Sequence, residues 1–357
     1  MGVGANRADQ PLSPHFREDG KPALAFSPVQ QKARDEVDTK LASGRYRLVA
    51  VDCPLCTSPS KKLLSEKDSA GLPIQTSICL SCGVLYASRR FDESSLGEFY
   101  ASENLRLDRG VASAEEFLFK NELAQGANVV QFLEQHGLFE KLRGSLIVEI
   151  GCGPGGILAH FKRLGFLVAG FDIDPAVVAY GSRVQGLEIH LGGIERAAEV
   201  VPAMARRLGM VILEQALEHM TNPRRELQRI RTLMDNDTLL FIGVPGLRNI
   251  GPHYRYDLLN YLQLGHLVHF ERRTLSALLD ETGFEELASN ERIDAICRTA
   301  ARPRCAKPRD GSAVAREMLS FLTSAERRRA RTAAYRMLRG AISRRVRSAA
   351  SLLSGNS

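Results

Sequence analysis

The 357-residue sequence contains no tryptophan, and only 6% of it is aromatic. Rings for stacking nucleic-acid bases are therefore scarce, and the interior must be built mainly from Leu, Val, Ile, Ala and Phe. No apolar run approaches the ~18 residues that span a bilayer. The opening stretch, MGVGANRADQPLSP, lacks the apolar segment of a secretory signal, so a cytoplasmic protein is expected. Cysteines number seven, and the odd count argues against a secreted disulfide framework. With 44% apolar and 25% charged residues, the composition excludes collagenous and wholly disordered chains.

Charge is unevenly spread. Residues 302–357 carry 14 Lys and Arg against 3 Asp and Glu, which leaves the remainder mildly acidic within an overall +7. In that segment Ala334, Leu338, Ala341, Ile342, Ala349 and Leu353 recur at helical spacing among arginines. A basic amphipathic helix is expected, able to dock on the acidic body or to lie peripherally on an anionic inner-membrane surface.

The rest divides by pattern. Residues 1–45 are Pro-, Gly- and polar-rich and read as a disordered lead-in, with a short helix allowed near Val29–Leu41. Residues 46–100 hold two Cys pairs among short β-prone pieces, and 101–142 read as a helical connector. From 143 to 302, short apolar strands alternate with helices. The fold class expected is α/β: a Rossmann-like, doubly wound sheet, a small N-terminal zinc-ribbon-like module and a C-terminal helical extension.

Chemistry concentrates first at VEIGCGPGG, residues 148–156, between a strand and a helix. Glycines permit positive φ and close approach of a ligand to backbone N–H groups. Glu149 precedes the turn, where it can hold a cation, and Asp172 ends the next strand, where it can accept both ribose hydroxyls. A ligand with an ammonium and a ribose fits these acids better than a dinucleotide.

The stretch Val148–Pro175, together with MVILEQALEHMTNP at Met210–Pro223, resembles the class I S-adenosylmethionine-dependent methyltransferases over about residues 143–300. The resemblance implies S-adenosyl-L-methionine as cofactor. It implies that Glu149 orients the methionine ammonium, that Gly151, Cys152, Gly153 and Gly155 form the cofactor loop, and that Asp172 binds the ribose, with Ile173 beside the adenine. It puts the Ile194 backbone where the family often has an Asp for the adenine amino group, since Gly193 stands at that place. Glu214 and Gln215 are expected to border the methyl-bearing sulfur.

Cys53-Pro-Leu-Cys56 and Cys79-Leu-Ser-Cys82 have C-x-x-C spacing twice, a four-thiolate set for tetrahedral Zn2+. With no open position left, such a zinc is structural. A segment this small has little core without the metal. The pairs, followed by Gly83-Val84-Leu85-Tyr86 and Phe99-Tyr100, resemble the zinc module of a methyltransferase subset that includes sugar C-methyltransferases and glycan-associated enzymes.

On the acceptor side, His219 follows the fourth strand of the sheet, and His253, Tyr254, Tyr256, His266 and His269 occupy the long connection after the fifth. His219 and His266 are the candidate bases, since imidazole takes a proton near neutral pH. His269, Tyr254 and Tyr256 read as packing or lid residues, and His136 and His160 as surface residues. Gln215, Glu218, His219 and His266 are similar to a carboxylate–histidine set of RNA 3′-end methyltransferases. That pattern has Glu at the place of Gln215, and a neutral amide is a poorer ligand for a hard cation, so a metal-assisted variant stands as the less favoured alternative. The reading is methyl transfer to a small-molecule acceptor, a sugar, glycan or natural-product intermediate. The alternatives are a nucleic-acid methyltransferase and a non-catalytic, zinc-stabilised cofactor-binding module.

Overall fold

The computed structural model describes residues 10–110, 114–251, 254, 256–300 and 311–354, and for Ala114 and 334–354 the backbone alone. The first of these residues depart from the expected disorder. Phe16 is fully buried beside Leu64 and Ile78. Helix α1 (Pro28–Ala42) starts with Pro28 after a reciprocal cap between Ser27 and Gln30, and buries Ala33 and Val37. Between them the chain is strapped down. Ala23 N–H donates to Ser69 O, Arg34 to Gly20 O and Ala70 O, and the buried Lys67 pairs with Asp19. Polar composition hid this order because few apolar anchors suffice when backbone groups find partners.

Strands β1 (Leu48–Ala50), β2 (Lys61–Ser65), β3 (Gln75–Cys79) and β4 (Leu85–Phe91) form an antiparallel sheet in the order β1-β4-β3-β2. Helices α2 (Glu93–Ser102), α3 (Asn104–Arg109) and α4 (Ala114–Gln135) lead to the second sheet.

That sheet begins with β5 (Leu146–Ile150), whose five residues are all buried, as expected for a central parallel strand. It continues through α5 (Gly156–Arg163), β6 (Leu167–Asp172), α6 (Pro175–Arg183), β7 (Ile189–Leu191), α7 (Ile194–Ala203) and β8 (Leu208–Glu214). Helix α8 (Pro223–Leu233), capped by Asn222, precedes β9 (Leu239–Gly243). A long connection carries α9 (Leu258–Tyr261) and β10 (Val268–His269), and α10 (Arg272–Thr282), β11 (Phe284–Ser289) and β12 (Asp294–Thr299) complete the domain. The strand order is β11-β12-β9-β8-β5-β6-β7, parallel except for β11 and β12.

Two features join the sheets. Strand β10 pairs antiparallel with β4, Val268 opposite Tyr86 and His269 opposite Leu85. One apolar core also runs from Tyr86, Phe91 and Phe99 into Leu213 and Ile242.

Helix α11 (Gly311–Ser354) closes over the first sheet with Val314, Ala315, Met318, Leu322 and Ala325 buried. At Gly83, φ is +83° and a Cβ would lie 2.7 Å from Val314, so glycine serves both the turn and the helix contact. The side chains of the Ala334–Leu353 stripe lie outside the described residues. Among the described residues no helix is long and apolar enough to cross a membrane.

Candidate functional site

The turn after β5 holds Gly151, Gly153 and Gly155 at φ of +75°, +52° and +85°, conformations that L side chains rarely adopt. Asp172 braces it, accepting from Gly153 N–H at 2.8 Å and from Asp174 N–H at 2.9 Å. Glu149 is 2% exposed with Oε2 accepting no hydrogen bond. Burial, then the nearby charges of Glu122, Glu214 and Asp172, push its carboxyl well above the usual range.

After β8 the chain reverses sharply. Gln215 takes φ of +52° and donates its N–H to Gly243 O, bringing Ala216 against Gly151. Glu214 packs over Gly243, where any side chain would meet its carboxylate, and burial raises its carboxyl to about 8.

A cavity of about 1120 Å3 opens along this edge. Glu149, Gly151, Asp172, Ile173, Ile194, Glu214 and Gln215 line it. So do His219 and His266 at another part of its wall. Cys152, Gly153 and Gly155 are not in that lining. The Cys152 sulfur packs on Gly170 of β6, and Gly155 faces Leu187 and Ile189.

His219 ends a short 3-10 turn, Leu217–His219. Its Nδ1 lies 2.8 Å from Gly265 O and 2.9 Å from the Tyr100 hydroxyl, which itself donates to Gly265 O at 2.7 Å. Nδ1–H donating to that carbonyl leaves Nε2 as the free basic nitrogen. Burial holds His219 below its ordinary pKa and His266 well below, so both rings are neutral. The two ring centroids are 4.9 Å apart, with His269 6.1 Å beyond His266. Glu218 is 1% exposed, neither carboxylate oxygen has a hydrogen bond, and burial raises it to about 8. Ligand atoms of Glu218, His219 and His266 lie within 4.8 Å of one another, a set chemically able to hold a metal ion.

His253 lies outside the described residues. Tyr254 lines the cavity and packs edge-on to Tyr261, whereas Tyr256 sits under the Arg328 guanidinium at 4.8 Å. His160 corrects its surface assignment. It is half-buried against Gly126 of α4, which has no side chain to hold it off.

The four thiols converge in matching knuckles. Thr57 N–H donates to Cys53 O and Gly83 N–H to Cys79 O, each at 2.9 Å. Cys53 and Cys82 sulfurs are 3.5 Å apart, as are Cys56 and Cys79, and all four lie within 4.8 Å. Hydrogen bonds from Cys53 and Cys82 hold Cys79 far below the usual thiol range. Four soft donors converging on one point fit Zn2+.

Residues 124–289 match the family model for a methyltransferase domain. That part of the chain is a methyltransferase domain. The methyltransferase is 20% identical over 158 residues to a ubiquinone biosynthesis O-methyltransferase of Coxiella burnetii, covering 40% of this chain and 68% of the relative. Among solved structures it is similar to mitomycin 7-O-methyltransferase, with TM-score 0.44, 15% identity and coverage of 77% and 69% of the two chains. It is also similar to magnesium protoporphyrin IX methyltransferase from Synechocystis with bound S-adenosylhomocysteine, with TM-score 0.42, 15% identity and coverage of 58% and 100%.

The methyltransferase site contains residues that sequence reasoning passed over. Glu122, on α4, accepts from Gly156 N–H at 2.9 Å and lines the cavity. Burial, then the charge of Asp172, raises it to about 8. Its signal was a lone acid between the apolar Leu118 and Val129 on one helical face. Tyr100, which fixes His219, gave only an aromatic pair with Phe99. Leu24 and Phe26 of the N-terminal strap, and Asp68 and Ala70 beneath it, also line the cavity.

Proposed function

We propose that this methyltransferase moves the methyl group of S-adenosylmethionine to a hydroxyl of a small-molecule acceptor, a sugar, glycan or natural-product intermediate. The observation that carries the reading is one continuous cavity lined by Glu149, Gly151 and Asp172 at one part and by His219 and His266 at another. The acceptor oxygen attacks the methyl carbon in line, the sulfur–methyl bond breaks, and its electron pair stays on sulfur as a neutral thioether. The acceptor proton leaves toward the His219–His266 corner. Most of the rate comes from alignment, with proton removal adding to it.

The roles proposed for Glu149, Gly151, Asp172, Ile173, Ile194, Glu214 and Gln215 as cofactor contacts are supported by their common position along the cavity. An oxygen acceptor is supported by the O-methyltransferase relative. A polyanionic acceptor fits poorly. Carboxylates crowd the cavity, and Arg109 is the one Lys or Arg among its described lining residues. Cys53, Cys56, Cys79 and Cys82 are proposed to hold a structural zinc, which neutralises the thiolates and fixes the sheet that β10 joins.

The test is transfer of labelled methyl from S-adenosylmethionine across hydroxylated sugars, nucleotide sugars, phenolic natural products and RNA. Methylation of a small hydroxylated compound is the expected result. Methylation of RNA alone would overturn the acceptor class.

A further inference from the structure

We infer that Glu122 is a cofactor-positioning residue, whose carboxylate receives the amino group of the cofactor's methionine moiety. The inference rests on the cofactor reading above and adds a residue that lies outside the glycine motif, on the helix before the sheet.

Geometry carries it. One Glu122 oxygen accepts from Gly156 N–H, the first residue of α5. The other lies 2.5 Å from where a Gly153 Cβ would stand. The carboxylate therefore lies along the glycine turn and fills the place where free helix N–H groups would otherwise attract an anion. Helix α4 reaches so close because Gly156 has no side chain to meet Phe119 O and Leu123 N. The amino-acid end of the cofactor carries one carboxylate and one ammonium. With the anion position already taken by the protein, the ammonium is the group this wall can accept.

Charge points the same way. Glu122, Glu149 and Asp172 all line the cavity, and among the described residues none of the three has an ion-pair partner. Glu149 Oε2 is fully buried and accepts no hydrogen bond. Buried this close together the carboxylates hold protons, and a cation arriving among them, beyond the charge that Arg109 supplies to Glu122, lets them ionise. Glu149 alone is one such group, and Glu122 faces the turn from the opposite element.

The experiment is calorimetry on the full chain with two probes: S-adenosylhomocysteine, which has the amino-acid end, and 5′-methylthioadenosine, which lacks it. The variant is Glu122→Gln, which keeps an acceptor for Gly156 N–H and removes the charge, with Glu122→Asp as the conservative partner. Loss of at least about tenfold in affinity for the first probe, none for the second, and partial recovery in Glu122→Asp support the inference. Equal losses for both probes would mean that Glu122 only caps α5, and unchanged binding of both would also overturn it. Thermal unfolding of each variant reports whether the fold is kept. A wild type that binds neither probe would instead sink the cofactor reading itself.

Discussion

His219 Nδ1 lies 2.8 Å from the carbonyl oxygen of Gly265, which ties the turn after β8 to the segment that enters the cysteine-module sheet as β10. The same carbonyl takes the Tyr100 hydroxyl from α2. Three elements distant in sequence thus fix one imidazole, and its Nε2 is left for chemistry. His219→Ala and His266→Ala are expected to keep S-adenosylhomocysteine affinity while turnover falls on the order of 10²–10⁴-fold in the variant that loses the base. Tyr100→Phe should lower turnover less. Full activity in both histidine variants would reject the corner as the proton site.

Elemental analysis should find one zinc per chain. Cys79→Ser should lose it and become protease-sensitive between residues 46 and 100. Because β10 pairs with β4, the same variant should also weaken acceptor turnover more than cofactor affinity. A fully folded, metal-free wild type would contradict this.

Protonation at the cavity has a defined sign. Glu122, Glu214 and Glu218 are each raised from 4.5 to about 8 in the fold, chiefly by burial. Between those values the folded state holds more protons than the unfolded one, so stability of the free protein should fall as pH rises from about 4.5 to about 8. Melting temperature against pH measures it. A cationic ligand at Glu122 and Glu149 needs them ionised, so S-adenosylhomocysteine binding at pH 7 should release protons. Calorimetry in two buffers of different ionisation enthalpy would show this, and identical heats would contradict it.

The termini give a further test. Phe16→Ala should cost about 3–5 kcal/mol in denaturant unfolding, as for a fully buried Phe. Truncation after Arg309 would remove the buried Val314, Met318 and Leu322 and should destabilise the body. Truncation after Ala333 spares them. The arginine-rich remainder is proposed to bind anionic vesicles reversibly, so that shorter truncation should abolish salt-sensitive sedimentation without lowering melting temperature. Binding retained after it would reject a membrane role for that segment.

The β5–β9 core was legible because apolar runs ending at glycine or acid are local signals. Leu146–Ile150 and its turn read directly, as did the spacing of the four cysteines. The ordered strap was not legible, since Ala23, Arg34 and Lys67 act through backbone groups and distant partners. Strand β10 was missed because two residues carry no periodicity. Its pairing with β4 is a long-range event. Glu122 and Tyr100 were missed for a related reason: each meets the site only once α4 and α2 have packed, and no neighbouring residue announces it.

The central claim is that the cavity holds S-adenosylmethionine at the turn braced by Asp172. Titration calorimetry of S-adenosylhomocysteine into wild type and Asp172→Ala tests it most directly. One molecule bound per wild-type chain, with binding lost or weakened at least about tenfold in the variant, is the predicted result. No binding to folded wild type, or equal affinity in the two proteins, would contradict it.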